Sequence, residues 1–110
     1  MENALLALDQ KYLWHPFTQA KTASQPLGIV RGKGSLLFDD MGSSYIDVIS
    51  SWWVNLHGHS HPYINQAIVK QLNTLEHVLF AGCTHLPAAL LAERLVNIAP
   101  AGLSRVFFSD

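Results

Sequence analysis

Two adjacent tryptophans, Trp52 and Trp53, are the side chains of this sequence best suited to holding a small organic molecule. They lie within residues 50–61, a segment with neither a helical nor a strand period, so the pattern does not assign both indoles to one core. Packing inside a core is one interpretation of the pair. An aromatic wall for a ligand is the other, because an indole buries a large apolar area and keeps one N–H donor.

Three histidines at alternate positions, His57, His59 and His61, follow the tryptophans and raise the question of a metal site. A zinc site takes further ligands in tetrahedral geometry, and no cysteine or pair of acidic residues is spaced to complete one. Pro62 favours the first position of a helix. We therefore expect these histidines to pack in a turn and to cap a helix, and we expect no metal.

The bulk composition limits the classes of function. Hydrophobic residues make up 49% of the chain and charged residues only 14%, against roughly 25% charged residues in a typical soluble domain. This composition predicts an ordered chain whose surface is partly covered by another chain or domain. A net charge of −1 does not suit a nucleic-acid partner, which is usually bound by a basic patch.

Membrane insertion and disulfide bonding are not expected either. No stretch approaches the ~20 apolar residues of a membrane span, and the first residues lack the pattern of a signal peptide. The only cysteine, Cys83, has no partner for an internal disulfide. We expect a cytoplasmic protein.

The N-terminal half predicts one helix and three strands. Apolar residues at helical spacing predict a helix over residues 4–13, with Asn3 as a candidate cap and Pro16 after its end. Segments rich in β-formers, separated by turns that contain glycine, predict three short strands in an antiparallel meander. The strands are expected over residues 27–31, 35–38 and 45–49.

The C-terminal half predicts two helices and one more strand. Helices are expected over residues 62–79 and 86–99, each with one apolar stripe. The continuous apolar run from Val106 to Phe108 predicts a strand over residues 104–109 that is buried on both faces of a sheet. Because such a strand needs neighbouring strands and crossover helices, we expect the chain to continue into a larger α/β domain.

A set of spaced motifs resembles the N-terminal signature of the class III aminotransferases. The motifs are D-x-x-G-x-x-Y-x-D over residues 39–47, G-H-x-H-P over residues 58–62, G-K-G over residues 32–34 and T-H-x-P-A over residues 84–88. The resemblance covers nearly all of residues 10–110. It implies that the whole protein is an α/β enzyme of fold type I that depends on pyridoxal 5'-phosphate.

Two further motifs resemble one group within that family, the 7,8-diaminopelargonate synthases. Residues 14–18 resemble the W-H-P-Y-T motif of this group, and residues 50–53 match its S-S-W-W motif. Ornithine and ω-amino acid aminotransferases share G-H-x-H-P but usually lack this pair, so the combination is specific although each piece is weak. The resemblance implies a homodimer that transfers an amino group from S-adenosylmethionine to 7-keto-8-aminopelargonate in biotin synthesis.

The same resemblance implies the substrate-binding residues Trp52, Phe17 and Trp53. Trp52 is expected to line the substrate pocket, and Trp53 is expected to lie beside it and to be mainly packed. Position 17 is usually a tyrosine that contacts the keto acid and stacks on the adenine of the donor. Phe17 keeps the stacking and loses the hydroxyl. Some relatives with phenylalanine at this position use lysine as the amino donor, so both donors stay open.

No catalytic or cofactor-binding residue is expected within the chain. None of its lysines lies in the Schiff-base context of the family, and the acidic partner and phosphate-binding helix that such an enzyme needs are expected beyond Asp110. The lysines are Lys11, Lys21, Lys33 and Lys70. Residues 1–50 are expected to form the helix and meander of a small domain. Residues 51–110 are expected to form the substrate wall, two helices and the first strand of the large cofactor-binding domain.

Two other functions remain open on sequence alone. One is a class III aminotransferase of the ω-amino acid type. The other is a stand-alone binding or interaction module that uses the tryptophans and histidines on its surface. The length of the natural gene product separates these hypotheses, because the enzyme is expected to continue past Asp110 to a later lysine.

Overall fold

A computed structural model describes residues 4–109 of the chain. Asn3, the candidate cap of the first helix, and Asp110 lie outside the described residues. The chain divides into two compact units, Met1–Gln66 and Ala67–Asp110. The first unit holds the N-terminal helix, a small sheet and the segment that carries the tryptophans.

The predicted N-terminal helix is confirmed as α1, Ala4–Tyr12. The Leu13 N–H still donates to the Asp9 carbonyl at 2.9 Å. Just after the helix, His15 Nε2 lies 3.0 Å from both carboxylate oxygens of Asp9. This contact holds the chain against the last turn of α1 as it turns away before Pro16, whose ring does not fit a helix interior.

The predicted antiparallel meander is confirmed as β1 Ile29–Lys33, β2 Leu36–Asp39 and β3 Ser44–Ile46, in the order β1-β2-β3. The first strand begins later than the sequence predicts. The third ends earlier, because the Val48 N–H donates to the Ile46 carbonyl at 3.1 Å and this tight turn leaves the sheet.

The turn between β2 and β3 is organised by the carboxylate of Asp39. It accepts hydrogen bonds from the backbone N–H of Met41 at 3.0 Å and of Ser43 at 2.8 Å, and from the Tyr45 hydroxyl at 2.7 Å. The Tyr45 hydrogen bond lowers the pKa of Asp39 most, and the same bond raises the pKa of Tyr45. Gly42 has a φ of 88°, as the sequence predicts for this turn.

Two glycines, Gly32 and Gly58, let residues 58–59 lie directly against the β1–β2 turn. Gly34 and His59 form an antiparallel bridge with N–H to carbonyl distances of 3.0 and 2.8 Å. A Cβ on Gly58 would lie 2.9 Å from the Gly34 Cα, and a Cβ on Gly32 would lie 2.7 Å from the His59 Cβ. Only residues without a side chain permit this approach.

The next helix, α3, spans Pro62–Leu72, so the sequence prediction of a helix to residue 79 is wrong in its end. The helix stops because the Gln71 carbonyl accepts N–H groups from Thr74 and Leu75, at 2.9 and 2.8 Å. The Gln71 side chain closes the turn by donating to the Leu75 carbonyl at 2.8 Å. The apolar stripe of the sequence continues past residue 72, but these local hydrogen bonds end the helix there.

The last helix, α4, spans Leu86–Ile98 and confirms the prediction closely. His85 is its extended cap residue, Pro87 lies in its first turn, and Ala99 is already extended before Pro100. Residues 104–109 pair with no strand among the described residues. A strand is defined by the ladder to its neighbour, so the strand over this segment stays a prediction.

Large apolar side chains are exposed throughout the described residues, and none of them is buried. Ile98 is 82% exposed and Leu56 is 77% exposed. The composition predicted a surface covered by further protein, and these side chains supply the apolar area for it. Within residues 4–109, no helix is long and apolar enough to cross a membrane.

We expect Gly58→Ala to destabilise the protein more than Gly42→Ala. Both glycines have positive φ, which costs an L-residue roughly 1–2 kcal/mol. Only at Gly58 would the new Cβ also meet a neighbouring backbone, which adds about 1–3 kcal/mol. Denaturant unfolding of both variants measures the difference, and equal midpoints would contradict the packing described above.

Candidate functional site

Phe17 and Trp52, distant in sequence, lie against each other in the first unit. Their rings are stacked, with centroids 5.5 Å apart and planes 15° apart. Phe17 is 92% exposed and Trp52 is 59% exposed, so neither ring is enclosed by the described residues. The structure therefore brings together two of the residues that the sequence predicted as a substrate wall.

Trp53 meets Trp52 edge to face, with centroids 5.8 Å apart and planes 62° apart. Its indole is 70% exposed, so the described residues do not make it a packed core residue. We call Phe17, Trp52 and Trp53 the aromatic wall. These three aromatic rings, with Trp52 in contact with both of the others, offer a ligand apolar faces and indole N–H donors.

The backbone that carries the tryptophans has the unusual left-handed conformation. Element α2, Ser50–Trp53, is a single helical turn in which all four residues have positive φ, between 47° and 69°. Its hydrogen bonds run from the Trp53 N–H to the Ile49 carbonyl at 2.8 Å and from the Val54 N–H to the Ser50 carbonyl at 3.0 Å. Each such L-residue costs roughly 1–2 kcal/mol, so neighbouring groups must hold the turn.

Asp47 supplies those groups. Its Oδ1 accepts the Ser51 N–H at 2.9 Å, and its Oδ2 accepts the Ser51 hydroxyl at 2.7 Å. His59 Nε2 donates to the same Oδ2 at 2.8 Å. The Asp47 side chain is only 6% exposed. We call Asp47, Ser51 and His59 the Asp47 cluster.

The Asp47 cluster favours a charged carboxylate. Hydrogen bonds from the Ser51 N–H, from the Ser51 hydroxyl and from His59, in that order, lower the pKa of Asp47 from 3.8 to about 2, against the opposing effect of burial. All of these partners donate to the ionised form. Asp47 is therefore a structural anion that holds three donors in place.

Sequence reasoning missed this cluster. The family motifs include Asp47 and His59, and their spacing marked them, but Asp47 was assigned only to the meander and His59 only to turn packing. Left-handed backbone is usually signalled by glycine or asparagine, and residues 50–53 contain neither. No local pattern could therefore predict the conformation of α2.

The other two histidines of residues 57–61 lie against each other. His57 and His61 meet edge to face, with ring centroids 6.1 Å apart. The His61 carbonyl accepts the Asn65 N–H at 3.0 Å, which places His61 at the start of α3, as predicted. Within the described part of the chain, no group of three or more His, Cys, Asp or Glu residues is placed to hold a metal ion. The lack of a functional metal stays a prediction.

The four lysines are all exposed. A lysine that binds a cofactor carbonyl works inside an enclosed site, beside groups that hold the cofactor. That none of these lysines attaches pyridoxal 5'-phosphate stays a prediction, as does the substrate-binding role of the aromatic wall.

Sequence comparison relates the chain to known enzymes. The family model described as aminotransferase class-III matches residues 18–110. The chain is 57% identical, over 99 residues, to the adenosylmethionine-8-amino-7-oxononanoate aminotransferase of Synechococcus elongatus, covering 90% of this chain and 23% of that protein. It is 47% identical to the enzyme of the same name from Aquifex aeolicus, covering 93% and 23%. The chain therefore spans about a quarter of the length of these curated relatives.

Structural comparison agrees. The crystal structure of the adenosylmethionine-8-amino-7-oxononanoate aminotransferase of Methanocaldococcus jannaschii matches all of this chain and 26% of its own, with a TM-score of 0.92 and 43% identity. The omega transaminase of Pseudomonas jessenii, in complex with PMP, matches 97% of this chain and 24% of its own, with a TM-score of 0.87 and 36% identity. The α/β fold of fold type I is therefore the fold to which this chain contributes.

We expect Asp47→Asn to destabilise the protein in a way that depends on pH. Because the pKa of Asp47 is lowered from 3.8 to about 2, its stabilising effect is fully present above pH 3.8 and is lost as the pH falls through 2. The stability difference between wild type and Asp47→Asn should shrink over that window. Urea unfolding across the window measures it, with Asp40→Asn, an exposed aspartate in the β2–β3 turn, as control. A difference that stays constant with pH would contradict the assignment.

Proposed function

Because the chain belongs to the class III aminotransferases, we propose that the whole protein transfers an amino group to 7-keto-8-aminopelargonate and forms 7,8-diaminopelargonate in biotin synthesis. The observation that carries the proposal is the 57% identity to a relative of that name over 90% of this chain. The aromatic wall supports it, because the acceptor is a small aliphatic molecule that apolar ring faces can bind.

In this proposal the chain binds and orients the acceptor. The exposed faces of Phe17 and Trp52 pack on its aliphatic carbons and exclude water from them. Trp53, in edge contact with Trp52, supports the wall from the side and packs against protein beyond the described residues. Holding the acceptor in one orientation raises the rate because binding removes its translational and rotational freedom before the reaction. The rings themselves take no part in the chemistry.

The cofactor of the whole protein is pyridoxal 5'-phosphate, as in its family, and it supplies the electron sink for amino transfer. The exposed lysines of this chain do not bind it, so the attachment point lies in another part of the protein. We place the carboxylate-binding group for the acceptor there too.

The amino donor is S-adenosylmethionine or lysine. The names of the relatives favour S-adenosylmethionine. Phe17 stacks flat on Trp52 and has no hydroxyl group. The hydrogen bond that a tyrosine could make here to the substrate that supplies the amino group is therefore absent. Activity with each donor, in wild type and in Phe17→Tyr, distinguishes the two.

We further propose that the protein is a cytoplasmic homodimer. The exposed apolar side chains of the described residues offer apolar area that the rest of the same chain and a partner subunit can cover. Equilibrium sedimentation of the whole protein tests the dimer.

An omega-transaminase activity is the second candidate, favoured by the match to the Pseudomonas jessenii structure. Its identity of 36% is lower than the 57% to the biotin-pathway relative. Two rates separate these activities: the amination of the acceptor 7-keto-8-aminopelargonate, and the deamination of simple ω-amino acids used as amino donors. The family match over residues 18–110 gives no support to a stand-alone binding module.

We expect Trp52→Ala to lower kcat/KM for the keto acid roughly ten- to a hundredfold, about 1–3 kcal/mol of binding. Trp53→Ala should instead lower the free energy of unfolding, by about 3–5 kcal/mol if its indole is fully covered in the whole protein. The kcat/KM for the keto acid and the free energy of unfolding are measured for both variants. If Trp52→Ala keeps kcat/KM while its unfolding midpoint collapses, Trp52 is a packing residue and not part of a substrate wall.

We also expect none of the four lysines to bind pyridoxal 5'-phosphate covalently, because all are exposed and enclosed surroundings favour such a bond. Borohydride reduction of the protein with the cofactor, followed by peptide mapping, tests this. Stoichiometric label on Lys11, Lys21, Lys33 or Lys70 would refute the expectation.

A further inference from the structure

Asp47 bonds to the residue directly before Trp52. Its two oxygens accept the Ser51 N–H and the Ser51 hydroxyl, at 2.9 and 2.7 Å. Ser51 has φ 47° and ψ 56°, and these angles determine the direction in which the chain presents the next side chain. Any change in the conformation of Ser51 therefore moves the indole of Trp52.

The turn does not hold this conformation by intrinsic preference. Residues 50–53 are all L-residues with positive φ, which glycine adopts freely and other residues avoid. The Asp47 carboxylate is itself held by His59 at 2.8 Å. The His59 side chain packs closely on Gly32. The support for Trp52 thus runs from the sheet, through His59 and Asp47, to Ser51.

We propose that Asp47 is a positioning residue for the aromatic wall. By holding Ser51 in the left-handed conformation, it sets the Trp52 indole parallel to the Phe17 ring and so shapes the surface that meets the substrate. The substrate part of this inference rests on the proposed function. The geometric part rests on the contacts alone, and the two parts are tested separately.

The geometric part is tested by near-UV circular dichroism of the whole protein. The spectrum of wild type minus that of Trp52→Ala isolates the signal of the Trp52 indole. Asp47→Asn should lose most of that signal. Adding Ser50→Gly should restore it in part, because glycine removes the cost of positive φ at the start of the turn. Asp40→Asn changes an exposed aspartate in the β2–β3 turn; it is the matched control and should keep the signal.

The substrate part is tested by kinetics. Asp47→Asn should raise KM for the keto acid about tenfold or more while kcat changes less than about threefold, and Ser50→Gly should reverse part of the rise. In a Trp52→Ala background, Asp47→Asn should change KM less than about twofold, because residues that act through one another are not additive. Should Asp47→Asn fail to fold, Ser51→Ala removes only the hydroxyl bond and should shift both measurements in the same direction by less.

The outcomes are distinct. If Asp47→Asn lowers only the unfolding midpoint and leaves the Trp52 signal and KM unchanged, Asp47 is merely structural and the inference is overturned. If the signal behaves as expected but wild type does not turn over the keto acid, the positioning role stands and the proposed function fails. If wild type is active and Asp47→Asn raises KM equally with and without Trp52, Asp47 does not act through the indole and the inference is overturned.

Discussion

The carboxylate of Asp47 joins the side chains and backbone of three segments: the end of β3, the left-handed turn α2 and the Gly58–His59 segment. It accepts hydrogen bonds from Ser51 and His59 while its side chain is almost wholly removed from solvent. A buried charge is costly unless every partner is a donor, and here every partner is. The arrangement is therefore stable as a unit and poorly tolerant of losing any one member.

Glycines in the first unit of the chain allow the Asp47 cluster to form. His59 reaches Asp47 only because its segment bridges to Gly34 and its side chain lies on Gly32. A side chain at either Gly32 or Gly58 would push the two segments apart. The sheet is small, with three short strands, and its role in this chain is to provide the flat backbone on which His59 rests.

The cost of the left-handed turn and the exposure of its tryptophans have the same explanation. Strained backbone persists where the surroundings hold it, and such places are often binding sites. The strained turn leaves the indoles of Trp52 and Trp53 exposed on the surface, beside Phe17, instead of buried in a core. Because this chain corresponds to about a quarter of the length of its relatives, these exposed faces are surfaces against which the rest of the protein, and in the proposed function a substrate, can pack.

The sequence by itself determined the family and the order of the elements, and it named the three residues that the structure brings together as the aromatic wall. Periodic apolar residues, Pro87 and Pro100 predicted α4 closely, because these signals are local to the helix. Local hydrogen bonds that the apolar pattern does not reveal decided the end of α3, where Gln71 closes the turn, and contacts distant in sequence decided the conformation of α2. The family motifs marked Phe17 and Trp52 as substrate-binding residues, but only the structure shows that their rings stack on each other. The hydrogen bonds that hold α2 join Asp47, Ser51 and His59, and a left-handed turn without glycine has no local signature, since only contacts distant in sequence can offset its cost.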